Sequence, residues 1–302
     1  MKKEENYLIK ICNAYLHKQN IQLDESIDYS RLFSVCREHN LLAVAFCIIK
    51  NSDNKGIVPV MVYKSFEDGF YETIIKYDAQ TNVINILERI LNENGIRHIF
   101  FKGAEIREYY PVPEARAMGD IDILIEPKSR DTVKSILLSK GFELKNSNGP
   151  VYDYVKDGVL IEVHTKIISG KVGNSNAEEG FANAMSNASY NGLSGKLNPS
   201  YQLAYMITHI AHHFWFYGAG IKLILDLAVF QSHFSIDYEE VFGMLDKINL
   251  KHFGEVILSL CAKWFEIGGS YTDNTVDTEE FVVSFGAFGN ARRNKAAVVE
   301  RK

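Results

Sequence analysis

The chain of 302 residues has few cysteines, no long apolar run and no excess of positive charge. Its four cysteines, Cys12, Cys36, Cys47 and Cys261, lie far apart and form no Cys-x-x-Cys pair. At this length that excludes a disulfide scaffold and reads as free thiols in a reducing compartment. The longest apolar run, Leu41 to Ile49, is nine residues, against the ~20 that a membrane-crossing helix needs. The start, Met1-Lys2-Lys3-Glu4-Glu5-Asn6, leads into no apolar segment of the kind a secretory signal carries. The expectation is a cytoplasmic protein with no membrane partner. Lys plus Arg is 33 and Asp plus Glu is 38, a formal charge of −5. That balance argues against nucleic acid as the main partner, because phosphate neutralisation calls for a basic surface.

Several common motifs are also missing. Gly192-Leu-Ser-Gly195-Lys196 has the wrong spacing for a phosphate-binding P-loop. Gly218-Ala-Gly220 lacks both the third glycine and the preceding strand of a dinucleotide fingerprint. Neither His-Glu-x-x-His nor Gly-x-Ser-x-Gly occurs.

What is present is an ordinary globular composition, 46% apolar and 24% charged, which excludes disorder and collagen-like repeats. Residues 1–95 show helical periodicity, as in Phe66, Phe70, Ile74 and then Val83, Leu87, Ile90, Leu91. A loop is expected at 51–58 and a glycine stop at Gly95. From residue 96 the texture changes. Ile96–Phe101 and Asp120–Glu126 read as strands, with a helical stretch between them that ends near Tyr110. Lys128–Lys140 reads as a helix closed by Gly141. Val151–Tyr154 and Val159–His164 flank Asp157-Gly158, a hairpin signal. Residues 169–196 read as loop with one short helix at 177–187, and 198–266 return to helical periodicity. The organisation expected is a helical region at 1–95, a mixed α/β core at 96–168, and a loop and helical region at 169–302. The fold class is α+β. Arg292, Arg293 and Lys295 read as a solvated basic face.

The chemistry concentrates in Phe101-Lys102-Gly103-Ala104 and Arg116-Ala-Met-Gly119-Asp120-Ile-Asp122-Ile-Leu-Ile125. On a strand, Asp120 and Asp122 share one face while Ile121, Ile123 and Ile125 share the other. The carboxylates then stand about 6–7 Å apart. Like charges so placed repel unless a proton or cation intervenes, and oxygen ligands favour Mg²⁺ or Mn²⁺. In Val159-Leu-Ile-Glu162-Val-His164, Glu162 and His164 share a face in the same way. Three carboxylates on neighbouring strands suit metal-assisted phosphoryl or nucleotidyl transfer. Gly103, between strand and helix, lets backbone approach a phosphate, and Lys102 and Arg116 offer positive charge to a triphosphate.

This order of strand, glycine turn, helix, Asp-x-Asp strand and strand-borne acid resembles the DNA polymerase β-like nucleotidyltransferase superfamily. More closely, Phe101-Lys-Gly103-Ala-Glu, Tyr110-Pro111, Arg116-Ala-Met-Gly-Asp120-Ile-Asp122 and Ile161-Glu-Val-His164 resemble the uncharacterised nucleotidyltransferase family of bacterial proteins. The resemblance extends to 198–230 through His209, His212 and Leu225-Asp226-Leu-Ala. It implies a mixed sheet of five or fewer strands with helices. The implied activity is transfer of a nucleoside monophosphate from an NTP to an acceptor hydroxyl of a small molecule or protein. Asp120, Asp122 and Glu162 would be both catalytic residues and ligands of the metal. Lys102, Gly103, Arg116 and Gly119 would bind nucleotide. His164, His209 and His212 are candidates for an acceptor pocket.

Ala104 stands where the superfamily has serine, so a hydroxyl contact to phosphate is missing and Lys102 is expected to compensate. The same departure motivates an alternative, a catalytically degenerate nucleotide-binding module. His209, His212 and His213, at i, i+3 and i+4 of a helix, admit a zinc site or plain packing. Asp226, an acid in an apolar helix, calls for a cationic or histidine partner, with His209 and Lys222 nearby. Family members run on beyond Lys302, and the closing residues carry no stop signal, which points to a truncated or atypical C-terminus.

Overall fold

The computed structural model describes residues 2–216 and 218–286. The basic group at Arg292, Arg293 and Lys295 and the closing residues lie outside that range. Helices α1 (Lys3–Leu16), α2 (Tyr29–Glu38), α3 (Leu42–Asn51) and α4 (Val60–Glu93) come first. The glycine stop lies where the sequence placed it: Asn94 caps α4, and Gly95 follows with φ 69°.

Strand β1 (His98–Phe101) leads into the short helix α5 (Gly103–Ile106) and then β2 (Asp120–Ile125). Helix α6 (Arg130–Ser139) follows, then β3 (Glu143–Asn146), β4 (Val151–Lys156) and β5 (Val159–His164). The turn of the β4–β5 hairpin is Asp157-Gly158, with φ 51° and 78°, the left-handed pair that a tight hairpin requires. Helix α7 (Ala177–Gly180) precedes a second hairpin, β6 (Ala188–Asn191) and β7 (Ser194–Leu197). Five helices follow: α8 (Pro199–Phe216), α9 (Ile221–His233), α10 (Tyr238–Lys247), α11 (Lys251–Phe265) and α12 (Val276–Phe285).

The seven strands form one mixed sheet in the order β3-β4-β5-β2-β1-β7-β6. This corrects the expectation of five or fewer strands. The surplus comes from β3 and from the β6–β7 hairpin, which lies in the stretch read as loop. Both have weak apolar alternation. Strand β3 is a half-exposed edge with one apolar residue, Leu144, and β7 pairs with β1 through backbone at Ser194 and Gly195. The detectable signal was Asn191-Gly192, a hairpin dipeptide.

The sheet separates two apolar cores. Ile121, Ile123 and Ile125 of β2 and Val159, Ile161 and Val163 of β5 pack on one side, with Val133 and Leu137 of α6. Leu124 of β2 and Ile99 and Phe101 of β1 face the other side, with Leu203 and Tyr205 of α8. The alternation read from the sequence therefore holds strand by strand. Helix α4 serves both cores. Its Phe66 and Phe70 belong to the helical core, and Val83, Leu87, Ile90 and Leu91 belong to the core beneath the sheet. Among the described residues no helix is long and apolar enough to cross a membrane. All four cysteines are buried and free.

Candidate active site

Strands β2 and β5 run parallel, and Asp122 is paired directly with Glu162. This is the juxtaposition required if three carboxylates are to act together. Asp122 is 1% exposed. Its Oδ1 accepts from Lys102 Nζ at 2.6 Å and lies 2.9 Å from His164 Nε2. The same His164 nitrogen is 3.1 Å from Glu162 Oε2, and Lys102 Nζ is 3.9 Å from that oxygen.

These contacts set the protonation states. Burial alone would raise the Asp122 carboxyl, but the Lys102 ammonium and His164 outweigh it and hold the pKa below the usual range. Burial alone would lower His164; its bonds to Asp122 and Glu162 raise it instead. Asp120 behaves in the opposite way. Burial, then repulsion from Asp122 and Glu162, pushes its carboxyl up to about 6.

Does this donor set fit a metal? The ligand atoms of Asp122, Glu162 and His164 all lie within 4.8 Å of one another. Carboxylate oxygens suit Mg²⁺ or Mn²⁺, and an imidazole nitrogen adds affinity for the transition metal. Asp120 adds a third acid whose raised pKa reports burial and a local excess of negative charge. An ammonium, that of Lys102, already sits between Asp122 and Glu162. The residues present fit a divalent cation.

Lys102 holds an unusual backbone conformation, φ 50° and ψ −126°. For a residue with a Cβ this region costs of order 1–3 kcal/mol. We expect Lys102→Gly and Lys102→Ala to lose the same ion pair, with only the glycine relieving the backbone. The glycine variant should be the more stable by about 1–2 kcal/mol in urea unfolding. Equal stabilities would show that the backbone is unstrained.

Gly103 is needed for a different reason. A Cβ there would lie 2.7 Å from Met118 Cγ and 2.9 Å from Arg116 Nη1. At Gly119 a Cβ would meet nothing within 4 Å, so the fold alone does not require glycine at that position.

A cavity of 510 Å³ opens in front of these residues. Lys102, Gly103, Arg116, Gly119, Asp120 and Asp122 line it. Its far wall comes from helices whose role the sequence did not reveal: Glu72, Lys76 and Gln80 of α4, Tyr205 of α8 and Lys222 of α9. Gln80 Nε2 donates to Met118 O at 3.0 Å, which ties α4 to the loop before Asp120. The Tyr205 hydroxyl is buried beside Lys102 with no hydrogen-bond partner. Spacing offered one clue, since Tyr205 precedes His209 by four residues on the same helix face.

The histidines divide. His209 lines the cavity, and its Nε2 is 3.1 Å from that of His213. His212 packs against Phe216, with ring centroids 4.8 Å apart, and is not in the cavity lining. His164 stands behind Asp122. Of the three acceptor-pocket candidates, only His209 borders the cavity. The three-histidine zinc reading is corrected as well. Among the described residues the ligand atoms that converge are those of Asp122, Glu162 and His164; the rings of His212 and His213 meet edge to face with centroids 6.3 Å apart.

Arg116 is committed elsewhere. Its Nε and Nη2 donate to Asp226 Oδ1 and Oδ2 at 2.9 and 2.8 Å, and Tyr110 Oη donates to Oδ1 at 2.7 Å. Asp226 thus finds its cation in Arg116, 110 residues away, and not in His209.

Glu105 of α5 is buried, with Oε2 unpartnered and Oε1 accepting from Tyr109 Oη at 3.2 Å. Burial pushes its pKa up to about 7, against a smaller lowering by Lys196. The folded-state pKa exceeds the unfolded one, so the folded state binds the proton more tightly between about 4.5 and 7. Stability from this group is therefore lost as pH rises through that window. Glu105→Gln should match the parent near pH 4 and exceed it at pH 8 by up to about 3 kcal/mol. Melting curves at the two pH values check this, and a variant no more stable at pH 8 would refute it.

The sheet brings Asp-x-Asp and a neighbouring strand's glutamate together behind a glycine turn. Residues 25–266 match the uncharacterised nucleotidyltransferase family, and the chain belongs to it. No curated protein matches the chain. Among solved structures it is similar to the antibiotic-resistance factor ANT(2'')-Ia, known from a solution structure. The two share 12% identity over 55% of this chain and 89% of that one, with a TM-score of 0.40. A likeness that distant supports nothing further.

Proposed function

We propose that this cleft binds an NTP with Mg²⁺ or Mn²⁺ and transfers the nucleoside monophosphate to an acceptor hydroxyl of a small molecule or protein. One observation carries this reading. Asp122 pairs in register with Glu162, Asp120 shares their face, and Asp120 and Asp122 border a cavity that Gly103 also lines.

Asp120, Asp122 and Glu162 would hold the metal. When bound, it supplies Lewis-acid stabilisation of charge developing on the phosphate oxygens. Gly103 lets the main chain approach the triphosphate. Lys102 brings positive charge where the superfamily's serine is absent. The acceptor oxygen attacks the α-phosphorus. The bond from that phosphorus to the bridging oxygen breaks, and pyrophosphate leaves. Glu162, paired in register with Asp122, takes the acceptor's proton. Asp226 and Arg116 hold the cavity wall behind the nucleotide.

The experiment is incubation with labelled NTPs, Mg²⁺ and a panel of hydroxyl acceptors, reading label transfer and pyrophosphate release. Transfer is expected in the parent and not in Asp120→Ala/Asp122→Ala. Transfer that survives the double substitution would overturn the reading.

A second reading has its own support. Ala104 removes a hydroxyl, and Lys102 already neutralises Asp122 at 2.6 Å. Both features favour a nucleotide-binding module without turnover. Nucleotide binding without pyrophosphate release would select it.

A further inference from the structure

Asp226, Arg116 and Lys222 form a buried group with one negative and two positive charges. Arg116 takes both carboxylate oxygens of Asp226, and Tyr110 donates to one of them. Lys222 Nζ stands 3.6 Å from Asp226 Oδ2, a second and longer ion pair to the same carboxylate. Its side chain is 12% exposed, and that of Arg116 is 5% exposed. The group therefore holds two positive charges against one carboxylate. Burial and the neighbouring Arg116 lower the Lys222 pKa to about 8, against the pull of Asp226.

The location gives this surplus a use. Lys222 lines the same cavity as Gly103 and Asp120. Arg116 Nη1 lies 3.4 Å from the Gly103 carbonyl oxygen, so the charged group sits against the glycine turn. Two cations that share one carboxylate are costly where water is scarce, and an oxyanion entering the cavity would answer the surplus with charge-assisted bonds. Arg116 is the closer partner of Asp226, and Lys222, the partner expected from the sequence, makes the longer pair while also facing the cavity.

We infer that Lys222 binds the terminal phosphates of the nucleotide and distinguishes a triphosphate from a monophosphate. This rests on the reading that the cavity takes an NTP.

The test is calorimetric titration of the full chain with a nonhydrolysable NTP analogue, inorganic tripolyphosphate and the matching nucleoside monophosphate. Lys222→Met and Lys222→Arg are compared with the parent. Methionine keeps the apolar stem and removes the charge. Lys222→Met should bind the analogue and tripolyphosphate about 10- to 100-fold more weakly. Its monophosphate affinity should stay within about twofold, and Lys222→Arg should recover part of the loss. Without ligand the methionine variant should melt at or above the parent temperature, since an uncompensated charge is gone.

Unchanged analogue affinity in Lys222→Met would overturn the inference and leave the cavity's NTP reading standing. So would a lowered melting temperature with equal losses for all three ligands, the mark of a structural counter-ion of Asp226. A parent protein that binds neither the analogue nor tripolyphosphate would overturn both readings.

Discussion

Asp120→Asn and Asp122→Asn are expected to abolish turnover alike and to shift the melting temperature in opposite directions. Each substitution removes a carboxylate from the proposed metal site. Several kcal/mol of transition-state charge stabilisation depend on that site, so each variant should lose about 10³-fold or more in kcat. Their stabilities differ because their surroundings differ. Burial and two neighbouring acids hold the Asp120 carboxyl at about 6, above its unfolded value of 3.8. That group costs stability as pH rises through this window, so at pH 8 and without divalent ions Asp120→Asn should gain roughly 1–3 kcal/mol. Asp122 carries the depressed pKa, with Lys102 and His164 as partners. Its stabilisation is present above pH 4 and is lost as pH falls through the folded-state value. Asp122→Asn should therefore melt lower at pH 8, with Lys102 deprived of its carboxylate. Thermal unfolding of both variants beside their pyrophosphate-release rates decides this. Two shifts of the same sign would mean that the electrostatic division of labour is wrong.

The largest stability effect is expected at Arg116. Its bidentate pair with Asp226 is buried, with both side chains 5% exposed. Removing one partner of such a pair leaves an unanswered charge and costs about 3–5 kcal/mol. Arg116→Met should fall in that range by urea unfolding. Arg116→Met/Asp226→Leu should recover part of the loss, because an apolar pair removes the unanswered carboxylate while Lys222 loses its ion pair with Asp226. A single-variant loss below about 1 kcal/mol would place the pair among weak surface contacts and contradict its burial.

Much of the site was readable because its rules are local. The period-2 alternation of Ile121, Ile123 and Ile125 assigned a face to Asp120 and Asp122. The same count placed Glu162 and His164 together, and Asp157-Gly158 marked the turn that sets their strand's register. What was not readable depends on long-range packing. Nothing near Arg116 announces a partner at Asp226, and nothing in α4 marks Glu72 or Lys76 as cavity wall. The ion pair of Lys102 with Asp122 spans 20 residues and exists only once β1 and β2 are paired. Strands β3 and β6 escaped notice because edge strands held by main-chain bonds need little apolar pattern, and β7, between β1 and β6, offers only Gly195 and Leu197 as buried positions.

Helix α4 has a bearing on how the chain can be dissected. Its 34 residues extend for about 50 Å, and its second half roofs the isoleucines on the back of β2. A fragment that begins after residue 95 would leave that greasy underside bare and invite aggregation. The acid-bearing sheet is therefore not a cassette to be excised or grafted; a recombination breakpoint that keeps it whole has to fall ahead of Val83.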